Sequence, residues 1–238
     1  MKAYAIPLAA ALVSISAPAL AQGDEGEEVG APEKGLSLSG GVTLLSDYRF
    51  RGISRSDEDP AVQAQLTVSV PAGFYAGARA TSLHRFASRA DAEIDLYAGY
   101  GANLGLGTAF DVGLLYYTFP GGTGDTAYFE PYASVSHTLG PVEATLGAKY
   151  AWAQDAIGGE DRLYLFGEVE AGIPATPLTL TAGAGRQDAG AFGNYWNWSL
   201  GARYDFGPLD AGLRYVDTDL APLPGQDAGL VLSLGFSF

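Results

Sequence analysis

The sequence predicts an all-β protein, a transmembrane antiparallel up-and-down β-barrel of about twelve strands. Three observations carry this. A period-two alternation of apolar with small or polar residues recurs from Leu36 to Phe238. Short Gly/Pro turns alternate with longer polar loops between the alternating segments. The aromatic residues of the apolar face gather at the segment ends and leave Ala, Leu and Val between them.

The chain opens MKAYAIPLAAALVSISAPALAQ, one basic residue followed by an apolar stretch that ends on Ala19-Leu20-Ala21. This is the pattern of a secretory signal peptide over residues 1–21, cleaved after Ala21, and it is set aside from the fold. Residues 22–35 are acidic, Gly-rich and aperiodic, and read as a disordered acidic leader. The barrel is expected over residues 36–238.

A weaker alternation over 36–51 provides the first strand. Val62, Ala64, Leu66, Val68 and Val70 alternate with Gln63, Gln65, Thr67 and Ser69 in the second. A segment near 73–82 is followed by Ile94, Leu96, Ala98 and Tyr100 against Glu93, Asp95 and Tyr97. Phe110, Val112, Leu114 and Tyr116 oppose Asp111, Leu115 and Tyr117. Beyond a weak segment at 127–138, Val142, Ala144, Leu146, Ala148 and Tyr150 oppose Glu143, Thr145 and Lys149. Leu163, Leu165 and Val169 oppose Tyr164, Glu168 and Glu170. A weak segment at 177–186 leads to Trp196, Trp198, Leu200, Ala202 and Tyr204, another spans 209–216, and GLVLSLGFSF closes the chain.

Turns at 71–73, 101–107, 139–141, 173–177 and 206–209 are short, whereas 52–60, 82–91, 120–127, 154–161, 186–194 and 216–227 are longer and polar. Sorting by length is what a membrane barrel produces, with turns inside and loops outside. A soluble barrel of lipocalin type, apolar face inward, shares the alternation but has no reason to separate its aromatics. Here Phe74, Tyr100, Phe110, Phe206, Phe236 and Phe238 fall near the short turns, and Tyr116, Phe129, Trp152, Trp196, Trp198 and Tyr215 near the long loops. Two girdles around an aliphatic band match the two interfaces of a bilayer.

Composition removes other classes. A net charge of −14 makes nucleic acid an unnatural partner. There is no cysteine, so disulfide and thiol chemistry are absent. His84 and His137 are the only imidazoles, neither stands in a His-x-Ser pair, and Ser136 points away from its neighbour His137 on a strand. No catalytic residue is therefore assigned. The acidic loops follow no calcium-loop spacing, so neither a metal site nor a cofactor is expected; they solvate the surface or bind divalent cations that bridge anionic lipid.

Leu234, Phe236 and carboxy-terminal Phe238 lie on one strand face. This ending resembles the terminal signature of Gram-negative outer-membrane proteins, and the resemblance implies recognition by the barrel-assembly machinery. A narrower similarity lies in SDYRFRGIS, 46–54, followed by Pro60, with GFYAG, EIDLYAGY, YFE and YVDTD further on. These stretches resemble the TorF family of porins, which implies an envelope location and a porin-like architecture. Asn197 stands between Trp196 and Trp198 where that family's pattern has aspartate.

Parity places a charged set on the inner face. It comprises Asp47, Arg49, Arg51, Arg79, Glu93, Asp95, Asp111, Glu130, Glu143, Lys149, Arg162, Glu168, Glu170, Arg203, Asp205, Asp210 and Arg214. Arg49 and Arg51 are expected to pair with lumenal carboxylates, and Tyr48 and Phe50 to face the membrane interface. Twelve strands give a backbone diameter of roughly 24 Å and a narrow pore. The expected function is passive diffusion of small hydrophilic solutes or ions through the outer membrane. The acid excess gives a weak preference for cations. The alternatives are a barrel enzyme of lipase or deacylase type and a closed structural or adhesion barrel. The expected partners are outer-membrane lipid and lipopolysaccharide, the assembly machinery and small solutes.

Overall fold

The computed structural model describes residues 35–86, 90–190 and 193–238. The signal peptide, and all of the acidic leader except Gly35, lie outside them. Every segment with a strong alternation forms a strand. The first is β1, Ser37–Leu45, followed by two short inner strands, β2 (Arg49–Phe50) and β3 (Ile53–Ser54). The wall continues with β4 (Ala61–Ser69), β5 (Phe74–Phe86), β6 (Ala90–Gly105), β7 (Thr108–Thr118) and β8 (Tyr128–Leu139). It is completed by β9 (Val142–Ala151), β10 (Arg162–Gly172), β11 (Leu178–Asp188), β12 (Asn194–Phe206), β13 (Leu209–Thr218) and β14 (Gly229–Ser237).

Twelve of these strands form one closed barrel in which each pairs antiparallel with its neighbours in sequence, β4 following β1. The last strand closes on the first: Leu44 pairs with Leu234 and Val42 with Phe236, and Gly40 and Phe238 exchange backbone hydrogen bonds of 3.1 and 3.0 Å. Among the described residues the barrel has no open edge, which is what a backbone in lipid requires. Followed once around, the register advances by about 16 residues, which tilts the strands by roughly 40–45° and gives a backbone diameter of about 25 Å.

The apolar face points outward throughout. Leu146 is 72% exposed, and Leu38, Val112, Leu165, Leu200 and Leu232 share its side of the wall. The inner face carries the buried charges, with Glu93 and Asp95 at 0% exposure. This inverts the arrangement of a water-soluble barrel. The aromatics form the two expected rims: Phe74, Tyr100 and Phe110 in contact near the short turns, and Tyr116, Phe129 and Trp152 near the long loops. Inside, tyrosine rings lie flat on the wall over glycines of the next strand. A Cβ at Gly113 would strike the Tyr132 ring, 2.6 Å from Cζ, and Gly99 is covered by Tyr75 in the same way.

Three boundaries differ from the sequence reading. β6 runs on through Gly105, so the turn read at 101–107 contracts to its last residues. β5 and β6 likewise absorb most of the loop read at 82–91. The largest difference is at β1, which stops at Leu45 instead of continuing to residue 51.

Candidate functional site

Beyond Ser46, which still bonds to Leu232 of β14, residues 47–56 turn into the barrel and lie inside the long-loop end of the lumen, and the exposed residues 57–60 lead back to the wall. The fold of this segment begins with Asp47, a buried carboxylate. Its Oδ2 accepts from Arg49 Nε at 2.6 Å, and its Oδ1 accepts from the hydroxyls of Ser54 at 2.6 Å and Ser56 at 3.1 Å. Ser56 Oγ in turn accepts from the Tyr48 backbone N–H at 2.9 Å, and Arg55 N donates to Tyr48 O at 2.7 Å. These bonds fold β2 back on β3 as a two-residue hairpin, with Phe50 paired to Ile53. Its turn residues, Arg51 and Gly52, both have positive φ, 51° and 89°. That is the handedness a tight hairpin turn needs; glycine adopts it freely and arginine at some cost.

The hairpin reaches the wall on nearly every side. Arg51 Nη2 donates to both oxygens of Glu130 on β8 at 2.7 Å, and Nη1 donates to Gln187 Oε1 on β11 at 2.5 Å. Its guanidinium also lies 4.3 Å from the ring centre of Tyr164 on β10. Arg55 donates to Glu93 on β6 at 2.6 Å and stacks on Phe50 at 3.4 Å. Phe50 meets Tyr117 on β7 edge to face at 5.9 Å. Gly52 sits against Thr218 on β13 and Asn197 on β12, too close for a Cβ. A second loop, 219–228, covers the hairpin: Gly225 bonds to Ser54 and Glu58, and Arg49 donates to the Asp227 carbonyl.

Burial alone would weaken the proton affinity of Arg51 and Arg55, but the carboxylates facing them outweigh it. Both pKa values rise above the ordinary arginine value, so both residues remain cations.

Tyr48 and Phe50 therefore do not face the membrane interface; they are 4% and 7% exposed, inside the barrel. Residues 52–56 are not part of a loop facing outward; only 57–60 are exposed at the loop end. The physical reason is that a hairpin packed on both faces alternates like a wall strand, and parity cannot tell them apart.

The rest of the inward set lies where parity put it. Arg79 pairs with Asp95 at 2.5 Å. Glu130 also accepts from Tyr117 at 3.0 Å. Asp111 accepts from Tyr75 at 2.7 Å, and Lys149 is buried. Arg203 reaches Asp205 at 3.1 Å and Glu170 at 3.9 Å, near the short turns, where Asp210 is also buried. Arg162, Glu168 and Arg214 are partly buried on the inner face. Glu143 is the exception: it is exposed at the short-turn mouth, where Thr138 donates to it at 3.0 Å. Sequence reasoning missed Arg55, Gln187 and the inner tyrosines as members of this site.

The two histidines stand at opposite ends of the barrel. His84 lies 3.7 Å from Asp59 at the loop end, and His137 Nδ1 is 2.9 Å from the Thr108 hydroxyl at the turn end.

A closed twelve-strand barrel, apolar outside, charged inside and with a chain segment folded into its lumen, has a porin fold. The solved structures that share it include the KdgM porin, with a TM-score of 0.61 at 8% identity over 84% of this chain and 99% of that one. KdgM in complex with disordered oligogalacturonate matches at 0.59 and 7% identity, over 84% and 98%. The NanC porin matches at 0.57 and 12%, over 85% and 99%. No curated protein matches the chain. The chain belongs to the Gcw_chp family, described as bacterial proteins of unknown function, whose model matches residues 30–225.

Proposed function

We propose that this protein is a narrow, non-enzymatic diffusion channel of the Gram-negative outer membrane for small hydrophilic solutes or ions. The observation that carries the proposal is the inversion of the barrel, with its apolar residues outside and its ion-paired residues around the lumen. The shared fold with porins and the resemblance of residues 46–54 to the TorF porins support it. In this reading the C-terminal strand, through Leu234, Phe236 and Phe238, is what the barrel-assembly machinery engages. The aromatic rims sit at the headgroup levels of lipid and lipopolysaccharide.

The channel prefers cations weakly, because inward acids outnumber inward bases even after Arg55 joins the set. Glu168, Glu170, Asp205 and Asp210 outweigh Arg203 and Arg214 in the half nearer the short turns. KdgM has been captured with an acidic saccharide; the acid excess here favours a different class of solute.

The test is the reversal potential of refolded protein across a potassium chloride gradient. Cation preference is expected, and it should shrink with added salt and in Glu168→Gln/Glu170→Gln. Anion preference overturns the selectivity. A second reading, a closed structural barrel, is favoured by the hairpin that fills the loop end of the lumen. A folded barrel that stays silent even with residues 47–59 replaced by a short flexible turn would establish that second reading.

A further inference from the structure

We infer that the lumen wall holds a binding site for guanidinium-bearing cations, and that Arg51 is its tethered resident ligand. The inference rests on the channel reading above and names a solute class for it. The wall contributes Glu130, Gln187 and Tyr164, from three different strands. Around the Arg51 guanidinium they place both carboxylate oxygens at 2.7 Å, an amide oxygen at 2.5 Å and an aromatic face at 4.3 Å. Tyr117 donates to Glu130 Oε2 at 3.0 Å and fixes the carboxylate from behind.

This acceptor set matches the planar, multi-donor shape of a guanidinium, which takes in-plane acceptors on its edges and an aromatic ring on its face. An ammonium ion has neither the edge geometry nor the stacking plane. A purely structural ion pair would be satisfied by the carboxylate alone. Gln187 and Tyr164 go beyond that, and they belong to the wall rather than to the hairpin.

Arg55 repeats the arrangement on a smaller scale, with Glu93 at 2.6 Å and the Phe119 ring at 5.6 Å. The hairpin therefore fills two cation positions on the wall with its own arginines. If it swings aside, Glu130 and Glu93 lose these partners and are left beside the wall's own Lys149 and Arg79, the latter already paired with Asp95, so an incoming cation restores the lost pairing. A short tether presents Arg51 at an effective concentration of millimolar order or above, so a free solute must exceed that to compete.

The experiment uses the full barrel in planar bilayers with potassium chloride as carrier. The probes are guanidinium chloride and L-arginine, with tetramethylammonium as a size control. Four forms are compared: wild type, Arg51→Ala, Arg51→Ala/Glu130→Gln, and the barrel in which residues 47–59 are replaced by a short flexible turn. Millimolar guanidinium should block the Arg51→Ala current while leaving wild type unaffected. The block should weaken about tenfold or more in the double variant, the loss expected for a charge-assisted contact. Tetramethylammonium should block neither.

Equal block by tetramethylammonium, no block by guanidinium, or indifference to Glu130→Gln overturns the inference. Should Arg51→Ala not fold, the hairpin-replaced barrel presents the same vacated wall site and gives the same reading. A hairpin-replaced barrel that is folded, by its gel mobility before and after heating, but carries no current overturns the channel reading instead.

Discussion

The barrel wall and the hairpin inside it are held by different physics. In the wall every strand has two hydrogen-bonded neighbours and one face towards an apolar phase, so each residue's position follows from its parity. In the hairpin two residues per strand are paired, and the segment is held by side chains: the Asp47 hub, two arginine–carboxylate pairs and the covering 219–228 loop. The wall should accordingly fold or fail as one unit. The hairpin should loosen locally, at a fraction of the global stability.

The largest effect expected of a single change lies at the seam of the wall. Phe238 exchanges two backbone hydrogen bonds with Gly40 and places an exposed ring at the short-turn rim. Deleting it, or Phe238→Asp, should sharply lower the fraction of folded barrel recovered in outer membranes, read from gel mobility of unheated samples. Replacing the hairpin should leave that fraction near wild type. The reverse outcome would make the hairpin, not the seam, the determinant of closure.

Next is the wall's outer face. Leu146→Arg puts a charge in the apolar band and should cost about 2–4 kcal/mol in the unfolding of bilayer-inserted protein. Its neighbour Thr145 faces inward, and Thr145→Asn should stay within about 0.5 kcal/mol. Equal costs at the two positions would break the inside–outside assignment.

This contrast also decides what was legible in the sequence. Twelve strands, their order and the inward set from Arg79 onward, Glu143 excepted, follow from a period of two, because lipid enforces parity on every wall residue. Asp47, Arg49 and Arg51 are inside as expected, but for another reason: they belong to a segment whose surroundings are protein on all sides. Nothing in the alternation of Tyr48 and Phe50 distinguishes such a segment from a wall strand. The set that gathers Glu130, Gln187 and Tyr164 around Arg51 was illegible because it joins residues from four parts of the chain, and only the barrel's register brings them together. The Gcw_chp family is described without a function, so the site rests on this geometry.

Within the hairpin, Gly52→Ala should give the larger effect. Gly52 has φ +89°, and an added Cβ would collide with Thr218 and lie 2.9 Å from Asn197 Cβ. The combined strain, about 1–3 kcal/mol, should appear as undocking of the hairpin and not as unfolding of the barrel. Protease added to the folded barrel should nick residues 46–60 roughly ten- to a hundredfold faster, with the gel mobility of the unnicked barrel unchanged.

Ser54→Ala should act in the same direction and more weakly. The Ser54 hydroxyl donates to Asp47 Oδ1 at 2.6 Å and accepts from the Glu58 N–H at 2.9 Å. Removing it leaves that N–H without its acceptor, but Asp47 keeps Arg49 on one oxygen and Ser56 on the other. The Ser54 backbone bond to Gly225 O, at 2.7 Å, is also untouched. One neutral–charged bond and one backbone acceptor lost, in a network that retains its hub, are a matter of about 1–2 kcal/mol, or roughly five- to thirtyfold faster nicking. The matched change on the outer face is Tyr215→Phe, which removes a 2.7 Å bond to Asp217 in an exposed position and should not alter nicking of the hairpin. If Ser54→Ala instead lowered the stability of the whole barrel as much as it loosened the hairpin, segment and wall would be one cooperative unit. The local undocking on which a displaceable Arg51 depends would then not occur.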